Sequence, residues 1–216
     1  MQQRQRSRQH IHTVLHQQTG LGMFEVLVTL VITTVGLLGI ASLQFVSSLH
    51  NADALARSQA VLVAEQFAER LRSAAKWSAT RYGMVVDNAY FTASNYHFAD
   101  LNCADKRQTD YTCFCLTIPA QIPDCERQVC SASQIAQYDA YQLSCTAVQS
   151  HPLTEIALTC TDKDTSDANT CSVGSPHNIL VKWPIYAWQN QYIAVDSACQ
   201  STTEQAFSCV AMTLYL

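Results

Sequence analysis

Charged side chains are scarce in this 216-residue chain, where Asp, Glu, Lys and Arg together make up 14%. So little charge beside 48% apolar residues excludes a solvated, disordered polymer, and it excludes a protein that needs a basic field to hold nucleic acid. Acids are missing altogether from residues 1–20, which carry Arg4, Arg6 and Arg8 with His10, His12 and His16. No Gly-x-Ser-x-Gly, phosphate loop or pair of catalytic carboxylates occurs, and the seven histidines are scattered. The residues therefore do not describe an enzyme. Paired Cys-x2-Cys spacing is also absent: Cys113-x-Cys115 and Cys125-x4-Cys130 do not fit structural zinc, and no metal or cofactor is implied.

What the chain does have is cysteine. Ten cysteines, Cys103, Cys113, Cys115, Cys125, Cys130, Cys145, Cys160, Cys171, Cys199 and Cys209, all lie beyond residue 100. An even, high number points to an oxidising compartment and to five disulfides. About 945 pairings are possible, and local spacing favours Cys199–Cys209 and Cys160–Cys171. Each bridge would stabilise a modest core by about 2–4 kcal/mol.

An apolar run follows the basic leader, from Leu21 to Phe45, interrupted by Glu25 and a few Thr, Ser and Gly residues. The polar stretch from Gln9 to Thr19 does not fit a secretory signal peptide, and the run is long enough to span a bilayer. With arginines before it and no comparable cluster after it, the basic end stays in the cytoplasm and the cysteines are exported. Without the leader the chain keeps ten basic against seventeen acidic side chains, about −7. The helical period continues beyond the membrane through Ala52, Ala56, Ala60, Val63, Phe67, Leu71 and Ala74, with no Pro or Gly among them. This predicts one helix from about Met23 to about Lys76, on the order of 80 Å long. Its second half is amphipathic, and Asp53, Arg57, Glu65, Glu69, Arg70 and Arg72 form a solvated or subunit-facing side.

Glu25 stands near the start of the apolar run, in Gly20-Leu21-Gly22-Met23-Phe24-Glu25-Val26-Leu27-Val28. A carboxylate in a bilayer costs several kcal/mol unless a cation offsets it. A cut after Gly20 would make the α-amino group of Leu21 such a cation, available to Glu25 of a neighbouring copy. That pairing would set the axial register between subunits. The bland alternative leaves Glu25 at the headgroup boundary of an ordinary signal anchor.

This segment resembles the leader and transmembrane start of type IV pilins and type II secretion pseudopilins. The resemblance implies cleavage by prepilin peptidase after Gly20, N-methylation of Leu21 and a subunit-assembly role for Glu25. Leu21 departs from the family's usual Phe, and Ser42 stands near the place where major pilins often carry a kinking proline. Gly36 and Gly39 are then the weak points of the span, each costing about 1 kcal/mol against Ala. The stretches Glu25–Val28, Val35–Gln44, Arg57-Ser58-Gln59-Ala60 and Ala68-Glu69-Arg70-Leu71-Arg72 are similar in combination to the PilV family of minor pilins, over about residues 20–75. Leu180-Val181-Lys182-Trp183 adds a weaker match to that family's late strand. The family implies a place in a priming and tip complex, with adhesion and twitching motility as the outcome. Its implied partners are other minor pilins, the major pilin, a tip adhesin, prepilin peptidase and the inner-membrane assembly platform, with no nucleic acid. A minor pseudopilin and a signal-anchored periplasmic binding module are the alternatives.

The domains expected are a leader (1–20), a transmembrane helix (21–45), its amphipathic continuation (46–76) and an exported head (77–216). The fold class expected is α+β and pilin-like, a long N-terminal helix packed on an antiparallel sheet. Strands are expected over Tyr111 to Ile118, Tyr138 to Ala147, Leu153 to Thr161, Asn178 to Trp183 and Gln205 to Leu216. Turns marked by Pro119, Pro123, Pro152, Gly174, Pro176 and Pro184 separate them, and Thr80 to Asp110 reads as a loop-rich connection. Asp162, Asp164, Asp167 and Asn169 could bind calcium, but Ser166 and Asp167 replace the third ligand and the glycine of an EF-hand-like spacing, which favours a solvated loop. Trp183, Tyr186, Trp188 and Tyr192 could grip a partner or a sugar, with strand-core packing the more common use.

Overall fold

The computed structural model describes residues 22–105, 107–185, 199 and 207–216. The chain divides into two units, residues 1–49 and 50–216, and helix α1 (Met23–Ala74) contributes to both. Within the first unit α1 is an uninterrupted apolar helix whose side chains are all exposed. It is long and apolar enough to cross a membrane. Its threonines make no demand on that surroundings: the Thr29 hydroxyl donates to the Val26 carbonyl at 2.9 Å and that of Thr34 to the Val31 carbonyl at 2.8 Å. Polar groups satisfied inside the helix are what hydrocarbon permits.

In the second unit α1 turns one stripe inward. Ala60, Val63, Ala64, Phe67, Ala68 and Leu71 are buried, at the three- and four-residue steps that bring side chains to one helix face. They join a core with Ile156, Leu158, Ile179, Val181, Trp183 and Leu214. Each large side chain buried there contributes about 1.5–3 kcal/mol. The helix ends two residues earlier than its periodicity predicts, because Lys76–Trp77 (β1) pairs with Met84–Val85 (β2) in a small antiparallel hairpin.

The main sheet has three antiparallel strands, β3 (Glu155–Cys160), β4 (His177–Pro184) and β5 (Phe207–Leu214), with β4 in the centre. Glu155 faces Lys182 and Cys160 faces His177, while His177 faces Leu214 and Pro184 faces Phe207. Along β4, His177, Ile179, Val181 and Trp183 are buried and the residues between them only half-buried, the two-residue alternation of a sheet covered on one face. A long helix packed on a small antiparallel sheet with five disulfides is the α+β, pilin-like arrangement expected.

Two expected strands are absent. Tyr138 to Ala147 lies inside helix α2 (Ala132–Ser150), and Tyr111–Cys115 forms a π-helical turn. The cause in the first case is a capping box: the Ser131 side chain accepts from the Gln134 N–H, and the Gln134 side chain accepts from the Ser131 N–H. In the second, the Cys113 N–H donates to the Thr109 carbonyl at 2.9 Å and starts a helical turn. Between β2 and this turn, the expected loop-rich stretch contains two 3₁₀ turns, Asn88–Phe91 and Ala93–Asn95.

Helix α2 serves two cores. Ala136, Ala140, Leu143 and Ala147 join the sheet cluster, whereas Tyr138, Tyr141 and Val148 join a second cluster with Phe98 and Phe114. Phe98 stacks on Phe114 with ring centroids 4.9 Å apart and meets Tyr141 edge-on at 6.3 Å.

Candidate functional site

Glu25 sits in the first turn of α1, where the N-terminal end of the helix dipole favours a carboxylate. Its N–H donates to the Gly22 carbonyl at 2.9 Å, and that of Val26 does so at 3.3 Å. Glu25 is the only charged side chain between residues 22 and 49. As the one ionisable side chain of that stretch, Glu25 is the group there able to pair with a cation supplied from outside it. Gly20 and Leu21, the expected cleavage and methylation positions, lie outside the described residues.

The ten cysteines form five bridges: Cys103–Cys113, Cys115–Cys145, Cys125–Cys130, Cys160–Cys171 and Cys199–Cys209. The last two are the pairs that local spacing favours. Cys115–Cys145 ties the π-helical turn to α2 across thirty residues and lines the second aromatic cluster. The head is thus locked covalently both at the sheet and in the segment that precedes it.

Arg70 departs from the solvated face expected of it. Its guanidinium donates to Asp139 at 2.5 Å, and the Tyr90 hydroxyl donates to the other carboxylate oxygen at 2.5 Å. Asp139 is buried, so one carboxylate in α2 holds α1 and the first 3₁₀ turn together. Burial first, then the adjacent Asp139, pushes the Tyr90 hydroxyl well above its ordinary pKa. The remaining charges of that helix face behave as expected, and Glu69 pairs with Arg72 at 2.5 Å on the surface.

Sequence reasoning also missed His97. His97 and Phe98 have φ near +56°, a left-handed conformation that costs non-glycine residues about 1–3 kcal/mol each. The His97 N–H donates to the buried Ser144 hydroxyl at 3.1 Å, and its ring Nε2 lies 2.8 Å from Ile156 in β3. Burial pushes the imidazole pKa down, opposed by the Ile156 carbonyl and the Glu155 and Asp110 carboxylates. Glu155 and Asp110 line with His97 a cleft of about 320 Å³. The available signal was weak: an isolated histidine after the Asn95-Tyr96 pair.

Asp162 is consumed by its own loop. It accepts from the Ser172 N–H and hydroxyl, from the Asp164 N–H at 3.3 Å and from the Ser175 hydroxyl at 3.3 Å. These donors, Ser172 foremost, lower its pKa to about 2. Asp164 pairs with Arg81 and accepts from Ser166, while Asp167 accepts from the Asn169 N–H at 2.9 Å. Among the described residues no cluster of side chains has the makeup of a metal site. Trp183 is buried in the sheet core, so it packs, and Tyr186, Trp188 and Tyr192 lie outside the described residues.

None of the family models, curated proteins and solved structures compared with this chain matches it.

Proposed function

We propose that this protein is a minor pilin of the type IV pilus, similar to the PilV family, which joins other minor pilins in a priming and tip complex. The observation that carries this reading is the division of labour along α1. Its first half is an exposed apolar helix with Glu25 as its only charge, and its second half is the buried spine of a disulfide-locked head. Such a chain is not an enzyme but a subunit: the membrane half waits in the inner membrane with the head in the periplasm, and both enter the filament on assembly. Prepilin peptidase cuts after Gly20, and Leu21 becomes the methylated terminus. Glu25 then pairs with the amine of a neighbouring subunit, because an offset charge removes most of the cost of an acid in hydrocarbon. The major pilin, a tip adhesin and the inner-membrane platform are the further partners.

The test is surface pilus abundance in a deletion strain, with the retraction motor present and absent. Pili lost only while retraction operates are expected of a priming subunit. Normal pili in both backgrounds with impaired protein secretion would replace this reading by a type II pseudopilin. An intact Met1 terminus by mass spectrometry would replace it by a signal-anchored binding module.

A further inference from the structure

The second unit exposes two aromatic rings side by side on the β1–β2 hairpin. Trp77 is 68% and Tyr82 98% exposed, and their rings meet edge to face with centroids 6.0 Å apart. The other described tryptophan, Trp183, is 2% exposed, so an indole left in water is a departure within this protein. Exposed aromatic surface of this kind costs hydration free energy that contact with a ligand recovers.

The hairpin that carries the rings is held on several sides. The Ser78 N–H donates to the Gly83 carbonyl at 2.9 Å, and the Ser78 hydroxyl accepts from the Thr80 and Arg81 N–H groups. Gly83 has φ +145°, and a Cβ there would stand 2.1 Å from Val173 Cγ1, so the turn is pressed against its neighbour where only glycine fits. Arg81 forms an ion pair with Asp164, and Lys76 with Asp87 at 3.7 Å. Asn88 continues the attachment, donating to the Ala168 carbonyl at 3.1 Å and accepting from the Thr170 N–H at 2.8 Å. A backbone held this firmly presents the two rings from a fixed base, so the hairpin itself need not be ordered when a ligand settles on them.

The charges around the rings narrow the ligand's chemistry. Lys76 and Arg81 already have a carboxylate each, so the platform offers polar donors and acceptors without a net field. A phosphate backbone needs uncompensated cations, and an acidic peptide does too. A neutral, hydroxyl-rich ring needs neither: its apolar C–H face rests on the aromatic rings, and its hydroxyls exchange hydrogen bonds with ion-paired side chains and with Ser78 and Thr80. We propose that the Trp77–Tyr82 hairpin is a binding platform for neutral pyranose oligosaccharides. This goes beyond subunit assembly and does not depend on it.

The test uses the full-length chain in lauryldimethylamine oxide, a detergent without a sugar headgroup, on a printed array of neutral oligosaccharides. Sialylated and sulfated glycans and a short single-stranded DNA are printed beside them. The wild type is expected to retain neutral glycans, with Trp77→Ala and Tyr82→Ala each weakening retention about tenfold and Tyr82→Phe keeping it. On the wild type, the retained glycan is also expected to shield tryptophan fluorescence from acrylamide, a readout that needs no variant. Retention of no neutral glycan, equal retention by Trp77→Ala, binding confined to anionic glycans or DNA, or unchanged quenching each overturns the proposal.

Discussion

His97 Nε2 lies 2.8 Å from both the backbone nitrogen and the carbonyl oxygen of Ile156, so one imidazole takes at β3 the place a neighbouring strand would fill. Neutral imidazole accepts from the Ile156 N–H, and an Nε2–H tautomer or the cation donates to the carbonyl instead. The ring reaches that position from the left-handed His97–Phe98 pair, whose second member stacks in the other cluster. A side chain bonded to the edge strand of the sheet and the next one in the aromatic core make this pair the joint between the two.

Stability is expected to fall with pH below neutrality. Burial holds both His97 and His177 below the ordinary histidine pKa, so the folded state favours the neutral rings while the unfolded chain takes up protons below about pH 6.5. The stabilisation is complete above that value and lost as pH falls toward the folded pKa values. Thermal unfolding of the full-length chain in detergent should show a lower midpoint at about pH 5 than at about pH 7.5, with the difference reduced in the His97→Asn, His177→Asn double variant. Equal midpoints would contradict it. The Asp162 contribution lies in a lower window, lost as pH falls from the ordinary carboxylate range toward about 2.

Asp139→Ala is expected to destabilise by about 3 kcal/mol, because it leaves the half-buried Arg70 and the buried Tyr90 hydroxyl without their shared carboxylate. Arg72→Ala, which breaks the exposed pair with Glu69, should change stability by no more than about 0.5 kcal/mol. Denaturant midpoints of the two variants give the comparison, and similar shifts would sink the argument.

The bridges should differ in value with the loops they close. Cys115–Cys145 spans thirty residues and Cys125–Cys130 spans five, which by chain entropy corresponds to about 3.6 and about 2 kcal/mol. Replacing each pair by serines and measuring unfolding should reproduce that order. A larger loss from the short loop would refute it.

Glu25→Val should leave processing intact while reducing co-purification with partner pilins, because it removes the only charge of the apolar half. The readouts are the mature N-terminus by mass spectrometry and the yield of partners. Undiminished partner yield would count against the pairing role of Glu25.

Much of this architecture was legible along the chain. The stripe from Ala60 to Leu71 and the strands observed at Glu155–Cys160, His177–Pro184 and Phe207–Leu214 show in the sequence pattern, as does the apolar helix that starts after Gly22. A strand is expected over Tyr138 to Ala147 because Tyr138-x-x-Tyr141 carries β-favouring side chains, yet Ser131-x-x-Gln134 and the Ala136–Ala140–Leu143–Ala147 spacing already specify the helix that forms.

By itself the sequence determined the local matters: where hydrophobic period and capping start each element, which half of α1 has no charge to solvate but Glu25, and that ten cysteines demand pairing. Only the tertiary structure decided which cysteines meet, that Arg70 leaves the solvated face for Asp139, that His97 closes on Ile156, and that Trp77 stays in water while Trp183 is buried. Those outcomes join residues distant in sequence, 69 apart for Arg70 and Asp139 and 59 for His97 and Ile156. Their free energy depends on burial and partner geometry, which exist only once the whole chain has packed.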